Sequence, residues 1–260
     1  FIVRLSIAAT AISVAAILLT FSIVNGFQST VSHKLFSFWG HLQISSVNGA
    51  SLIEDAQLVE KIKTIPNIQS ASAFLNQTMV LAKDIEIEGL NAKGIADFSS
   101  IPNLIQGRLI QSDGQSPSKE IVLSKNLASK LHIVIGDQVR LYFFQNNQVQ
   151  ERKLKVVGLF HSGIEAYDLK NVFIDIHLLQ QLIQAPNAIT GYQINVKDLN
   201  TLAQTQIDIQ SILPENWVAS ASADLYPQLF DWIQVQNINR NITIIIMLFI
   251  AVVNLITCLL

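Results

Sequence analysis

The stretch LSIAATAISVAAILLTFSIV, residues 5–24, is twenty residues without a charge, and ITIIIMLFIAVVNLITCLL, residues 242–260, is nineteen more. A bilayer core is about 30 Å thick, and a helix rising about 1.5 Å per residue needs about 20 apolar residues to cross it. Both stretches are long enough to span. The roughly 200 residues between them carry nearly all the charge. This is the layout of a membrane protein with one large extramembrane domain tethered at both ends.

The composition agrees. Hydrophobic residues make up 50% of the chain and charged residues 14%, low for a soluble domain, and the deficit of charge is concentrated at the two ends. A net charge of −2 without a basic stripe excludes the electrostatic footprint of a nucleic-acid binder. The single cysteine, Cys258, lies in the second apolar run, so no disulfide forms within the chain. The first run is longer than a signal-peptide core, and Ile23-Val24-Asn25-Gly26-Phe27 offers no small-residue cleavage site after it. The chain starts at Phe1 and stops inside an apolar run at Leu260, as a fragment of a longer protein would. Arg4 at the outer end of the first span favours a cytoplasmic N-terminus and a domain outside the cytoplasm.

Ser6, Ala9, Ser13, Ala16 and Thr20 recur along one face of the first span, opposite Ile7, Val14, Leu18 and Phe21. Small residues on one face permit close helix–helix approach in lipid. In the second span Met247, Ala251, Asn254 and Cys258 share a face, and a buried Asn there needs a partner on another helix. Ser6, Ser13 and Asn254 are therefore candidate packing residues. Phe27, Val31, Leu35 and Phe38 continue the helical spacing beyond the first span, which predicts a stalk ending near Trp39-Gly40. Leu229, Ile233, Gln236 and Arg240 predict a matching helical entry to the second span, with Trp232 at interface depth.

Between the stalks, short strands alternate with short helices. Strands are expected at His41–Val47, Ile68–Leu81, Ile85–Leu90, Glu120–Leu123, Val139–Phe144, Val149–Val157, Val172–Asp175, Gly191–Val196 and Trp217–Ala221. Helices are expected at Glu54–Ile65, from a Ser124 cap through Leu131, after Asp175 through Ile183, and at Leu199–Leu213. Asn146-Asn147 makes a tight hairpin, and Ile95–Pro117 is rich in turn residues. The expected fold is an α+β domain of two lobes between two transmembrane helices: 1–40 the first span and stalk, 41–228 the domain with an inserted lobe over about 94–149, and 229–260 the second stalk and span.

Catalytic signatures are missing. There is no Walker-type phosphate loop, no Gly-x-Ser-x-Gly elbow, and none of His33, His41, His132, His161 and His177 has partners at metal-ligand spacing. His161-Ser162 with Glu165 and Asp168 invites a triad reading, but a Gly-containing loop collects such residues for turns and caps. The expectation is a non-enzymatic chain with no bound cofactor or metal.

Several motifs then resemble a known family. Ser22-Ile23-Val24-Asn25-Gly26-Phe27-Gln28 is similar to the "S-V-M-N-G-F" closing the first span of bacterial lipoprotein-releasing (Lol-type) ABC permeases, members of the FtsX/MacB-like superfamily. His41-Leu42-Gln43-Ile44 resembles the strand that follows. Gly107-Arg108-Leu109, the Leu123–Ala128 segment and the Leu131–Asp137 segment resemble "G-R", "G-x-x-L-A" and "L-x-V-x-x-G-D". Val156–Phe160, Tyr167-Asp168 and Asn254–Thr257 resemble "V-x-G-x-F", "Y-D" and "N-I-I-S/T". The resemblance runs in order over nearly the whole chain.

It implies a MacB-type periplasmic core domain with two lobes, in a four-span permease of the bacterial inner membrane whose second half lies beyond Leu260. The implied partners are a cytoplasmic ABC ATPase that supplies ATP hydrolysis, a second permease subunit (homo- or heterodimer), a lipoprotein substrate and a periplasmic lipoprotein carrier. Acyl chains would occupy an apolar cavity between the first helix of one subunit, lined by Val24, Phe27, Val31 and Leu35, and the second helix of its partner subunit, lined by Ile233, Ile244, Leu248 and Val252. Each position serves core or lipid-facing packing equally well. Carrier-recruiting members have a longer protruding hairpin; here the corresponding turn is short and polar, Gln145-Asn146-Asn147-Gln148, and these four are the candidate carrier contacts. Two alternatives stay open: an FtsX-like regulatory permease that signals to periplasmic partners, and a MacB-like efflux permease.

Overall fold

The structure, a computed structural model, describes residues 2–101, 103–112, 116–145 and 148–259. The side chains of 2–6, 9, 10, 13, 27–29, 31–35, 37, 145, 148, 228–234, 236, 237, 254, 255 and 257–259 also lie outside what it describes. Two compact units result: Phe1–Leu35 with Ala223–Leu260, and Phe36–Ser222.

The first unit holds most of two long helices, α1 (Ile2–Trp39) and α8 (Pro227–Leu259). The second begins with the last turn of α1 and continues β1 (Leu42–Ser46), β2 (Leu52–Ile53), α2 (Ala56–Lys63), β3 (Ile68–Lys83) and β4 (Glu86–Ile95). Then come β5 (Leu104–Gly107), β6 (Glu120–Ser124), α3 (Lys125–Lys130), β7 (Gln138–Gln145) and β8 (Gln148–Phe160). Next are α4 (Glu165–Asp168), β9 (Asn171–Asp175), α5 (Ile176–Leu182), β10 (Ala188–Ile189) and β11 (Gly191–Val196). The order ends with α6 (Leu202–Ile212), β12 (Trp217–Ala221) and α7 (Ser222–Leu225).

Local sequence explains the helix starts. Asp55 caps α2 by accepting from the Gln57 and Leu58 amides, Ser124 caps α3 at the Leu127 amide, and Asp175 caps α5 at the His177 amide. Each satisfies amides that a helix start leaves without an internal partner.

The sheet is built on β3. Its first half pairs antiparallel with β11 (Ile194↔Ala71), and β11 leads outward through β1 to β12. Its second half pairs with β4 on one side (Leu81↔Glu88) and β7 on the other (Leu81↔Leu141). From β4 the ladder runs through β9, β6 and β8 to β7, so six strands close into a ring, with β5 appended to β8. Met79, Leu81, Ile121, Leu123, Val139, Leu141, Val156 and Ile174 fill its buried cluster. Residues 94–149, expected as an inserted lobe, contribute β5, β6 and β7, and all three hydrogen-bond into this one sheet. That segment does not separate as a compact unit of its own.

Candidate functional site

The last turn of α1 is where the long helix enters the folded domain, and it is densely held. Gly40 ends the helix at φ +72°, a conformation that glycine alone adopts cheaply, and its amide donates to the Phe36 carbonyl at 2.8 Å. Phe38 and Trp39 are buried. Their rings meet Tyr167 at 4.8 Å each, and Phe38 also meets Phe160, which packs edge-on against Phe173 at 5.1 Å. Such tilted and edge-on pairs are the favoured aromatic arrangement.

The carbonyls that close a helix have no intrahelical partners, and here side chains of the domain supply them. Trp39 O accepts from Gln43 Nε2 at 3.0 Å and from Ser222 Oγ at 3.2 Å. Phe38 O accepts from Lys93 Nζ at 2.8 Å. Lys93 is 9% exposed, donates also to Gln193 Oε1 at 2.6 Å, and lies 5.2 Å from the Phe74 ring centre. Burial drives its pKa down to about 7, because removing an ammonium from water penalises its charged form.

The polar cluster of the β8–α4 loop is a loop staple. Asp168 is fully buried; one carboxylate oxygen lies 2.9 Å from His161 Nδ1 and the other accepts the Ser162 amide at 3.1 Å. Ser162 Oγ turns back to Ile164, and Ser124 Oγ donates to the Asp168 carbonyl. The serine hydroxyl is engaged within its own turn, and His161, Ser162 and Asp168 brace the loop without a side-chain cap on α4.

In the first unit, α1 and α8 are joined by Arg240 Nη1 donating to Asn25 Oδ1 at 3.1 Å. These two polar residues flank the two uncharged runs. Of the expected acyl-chain positions, Val24 and Ile244 are half-buried and Leu248 and Val252 are exposed. The side chains of Phe27, Val31, Leu35 and Ile233 lie outside the described residues, as do the packing candidates Ser6, Ser13 and Asn254. Apolar exposure is heavy along both helices, including Ile12 at 70% and Phe249 at 69%. Counted over the described residues alone, no helix is long and apolar enough to cross a membrane; the undescribed side chains interrupt both runs.

β7 and β8 form the expected hairpin, with exposed Phe144 and Val149 paired just below its turn. Asn146 and Asn147, and the side chains of Gln145 and Gln148, lie outside the described residues. No group of three or more His, Cys, Asp or Glu side chains that would hold a metal occurs among the described residues. Sequence reasoning missed Lys93, Gln43 and Ser222. For Lys93 the one available signal is a lysine inside the otherwise uncharged run Gly89–Ala96.

The family model for MacB-like periplasmic core domains matches residues 5–212. The lipoprotein-releasing system transmembrane protein LolC of Buchnera aphidicola subsp. Schizaphis graminum is 24% identical over 209 residues, covering 76% of this chain and 51% of that protein. The lipoprotein-releasing system transmembrane protein LolE of Haemophilus influenzae is 21% identical over 236 residues, covering 84% and 56%. The chain thus spans about half the length of the curated relatives it matches. The crystal structure of the periplasmic region of MacB from Actinobacillus actinomycetemcomitans aligns with a TM-score of 0.51 at 17% identity, covering 72% of this chain and 91% of that one. That likeness is one of fold.

Proposed function

This chain belongs to the family of MacB-like periplasmic core domains, and we propose that it is the first half of a lipoprotein-releasing ABC permease of the bacterial inner membrane. In this reading α1 and α8 cross the bilayer, and Phe36–Ser222 stands in the periplasm. The observation that carries the reading is the conjunction of relatives named for lipoprotein release with two helices that display large apolar side chains along their lengths. Burying such surface in lipid is favourable by about 25 cal/mol per Å². The half-buried Arg240–Asn25 pair then lies at the ends of the two uncharged runs, where polar side chains reach the interface.

The mechanism in this proposal is mechanical. A partner ATPase hydrolyses ATP, the membrane helices shift, and α1 and α8 carry the movement to the periplasmic domain. Acyl chains of the lipoprotein occupy an apolar space between α1 of one subunit and α8 of its partner subunit, and the released lipoprotein passes to a periplasmic carrier. The sheet itself has two parts, the β12–β1–β11 wing and the closed ring, which share β3.

The test is depletion of the full-length protein followed by membrane fractionation. Lipoproteins held back in the inner membrane are the expected result. Normal sorting would overturn the proposal and transfer the weight to a regulatory or efflux permease.

A further inference from the structure

We propose that Lys93 is the residue that fixes the end of α1 to the folded domain, a positioning residue for the movement described above, on which this inference rests. Burying an ammonium is costly unless it is paired and hydrogen-bonded. Among the described residues Lys93 is the one buried basic side chain, and its hydrogen-bond partners, Phe38 O and Gln193 Oε1, are both neutral. An apolar side chain would fill the same space against Phe74 without the desolvation cost. What the lysine adds is a cationic donor at a helix C-terminus, where aligned peptide dipoles leave partial negative charge and carbonyls without partners. A hydrogen bond with a charged donor is about twice as strong as a neutral one.

The placement of its neighbours makes this bond a joint. Lys93 stands on β4, in the closed ring, while Gln193 stands on β11, in the wing. One ammonium therefore ties the end of α1 to both parts of the sheet. Gln43 and Ser222 hold the next carbonyl, Trp39 O, from β1 and from the start of α7, but neither reaches the ring. Lys93 is thus a side chain through which force along α1 enters the ring by a polar contact, beside the aromatic packing of Phe38.

The test compares the full-length protein as wild type, Lys93→Met and Lys93→Gln. Amide hydrogen exchange is read on the purified protein in detergent, and lipoprotein release is read in native membranes with the partner ATPase. Lys93→Met is expected to speed exchange at the Gly40 amide at least tenfold, to leave the β6 amides unchanged, and to lower release at least fivefold. Lys93→Gln, which keeps an N–H donor, is expected to fall between. Unchanged exchange at Gly40, or faster exchange with undiminished release, overturns the assignment. So does a rise across β6 in both variants, which would make Lys93 a general core residue. If the wild type itself releases no lipoprotein, the proposed function fails, and exchange at Gly40 still decides the joint.

Discussion

Replacing Lys93 by methionine changes how stability depends on pH, and the sign can be worked from the structure. In the unfolded chain this lysine keeps its proton up to about pH 10.5, whereas burial in the fold drives its pKa to about 7. Between those values the unfolded chain binds one proton more than the folded one, so stability rises with pH. The slope from this group is about 1.4 kcal/mol per pH unit. Below pH 7 the fold carries the whole desolvation cost of the ammonium; above it the cost is progressively relieved. Methionine removes that cost at every pH, and leaves Phe38 O and Gln193 Oε1 without their donor, at about 1–3 kcal/mol each. Near pH 6 the two effects largely offset, and the variant is expected to match the wild type to within about 2 kcal/mol. From pH 7 to 9 the wild type gains about 2.3 kcal/mol on the variant, the slope being halved at pH 7 itself. Urea unfolding of the full chain in detergent, followed by the fluorescence of buried Trp39, measures both curves. Parallel curves across pH 6–9 would refute the lowering of the Lys93 pKa by burial.

Gly40→Ala places a Cβ 2.6 Å from Gln193 Cγ and 2.9 Å from the Ile194 carbonyl oxygen at a positive φ. A loss of about 2 kcal/mol or more in the free energy of urea unfolding is expected. Asp137 is held below the usual carboxylate range by its hydrogen bond to Lys83, 2.5 Å away, and by the Val134 amide. Its contribution is present above about pH 4 and lost as pH falls through its lower folded value; Asp137→Asn should therefore flatten the acid limb of the stability curve and reduce stability at neutral pH. Val31→Asp, on the predicted stalk, should block lipoprotein release while the domain's urea midpoint stays unchanged; normal release removes Val31 from the acyl-chain path.

Much of the fold was legible because its signals are local. The alternation over Gly191–Val196 and Trp217–Ala221 gave β11 and β12 to the residue, and Ser124, with Pro66 and Pro214, marked helix limits that the structure keeps to within a turn. Ring closure was not legible. β3 reads as one long amphipathic strand, and nothing in its sequence says that Val80–Ala82 pairs with a second neighbour sixty residues away. β2 and β10, two residues each, are too short for any periodicity to register. The expected acyl-chain positions followed from the family resemblance, and the structure places Val24 and Ile244 half-buried but Leu248 and Val252 in the open. Lys93 escaped because a lysine in a strand reads as a solvated face, and its carbonyl partner lies 55 residues earlier in the chain.

The closed ring also bears on how this domain tolerates company. A strand with a bare edge is a template for pairing with another chain. Closing β3 through β4, β9, β6, β8 and β7 gives every ring strand two neighbours. In the ten-stranded sheet only β5 and β12 are terminal, at four and five residues. Segments that short offer few consecutive amides to an incoming strand. The domain is thereby protected from strand exchange by its topology, without charged guards along its edges.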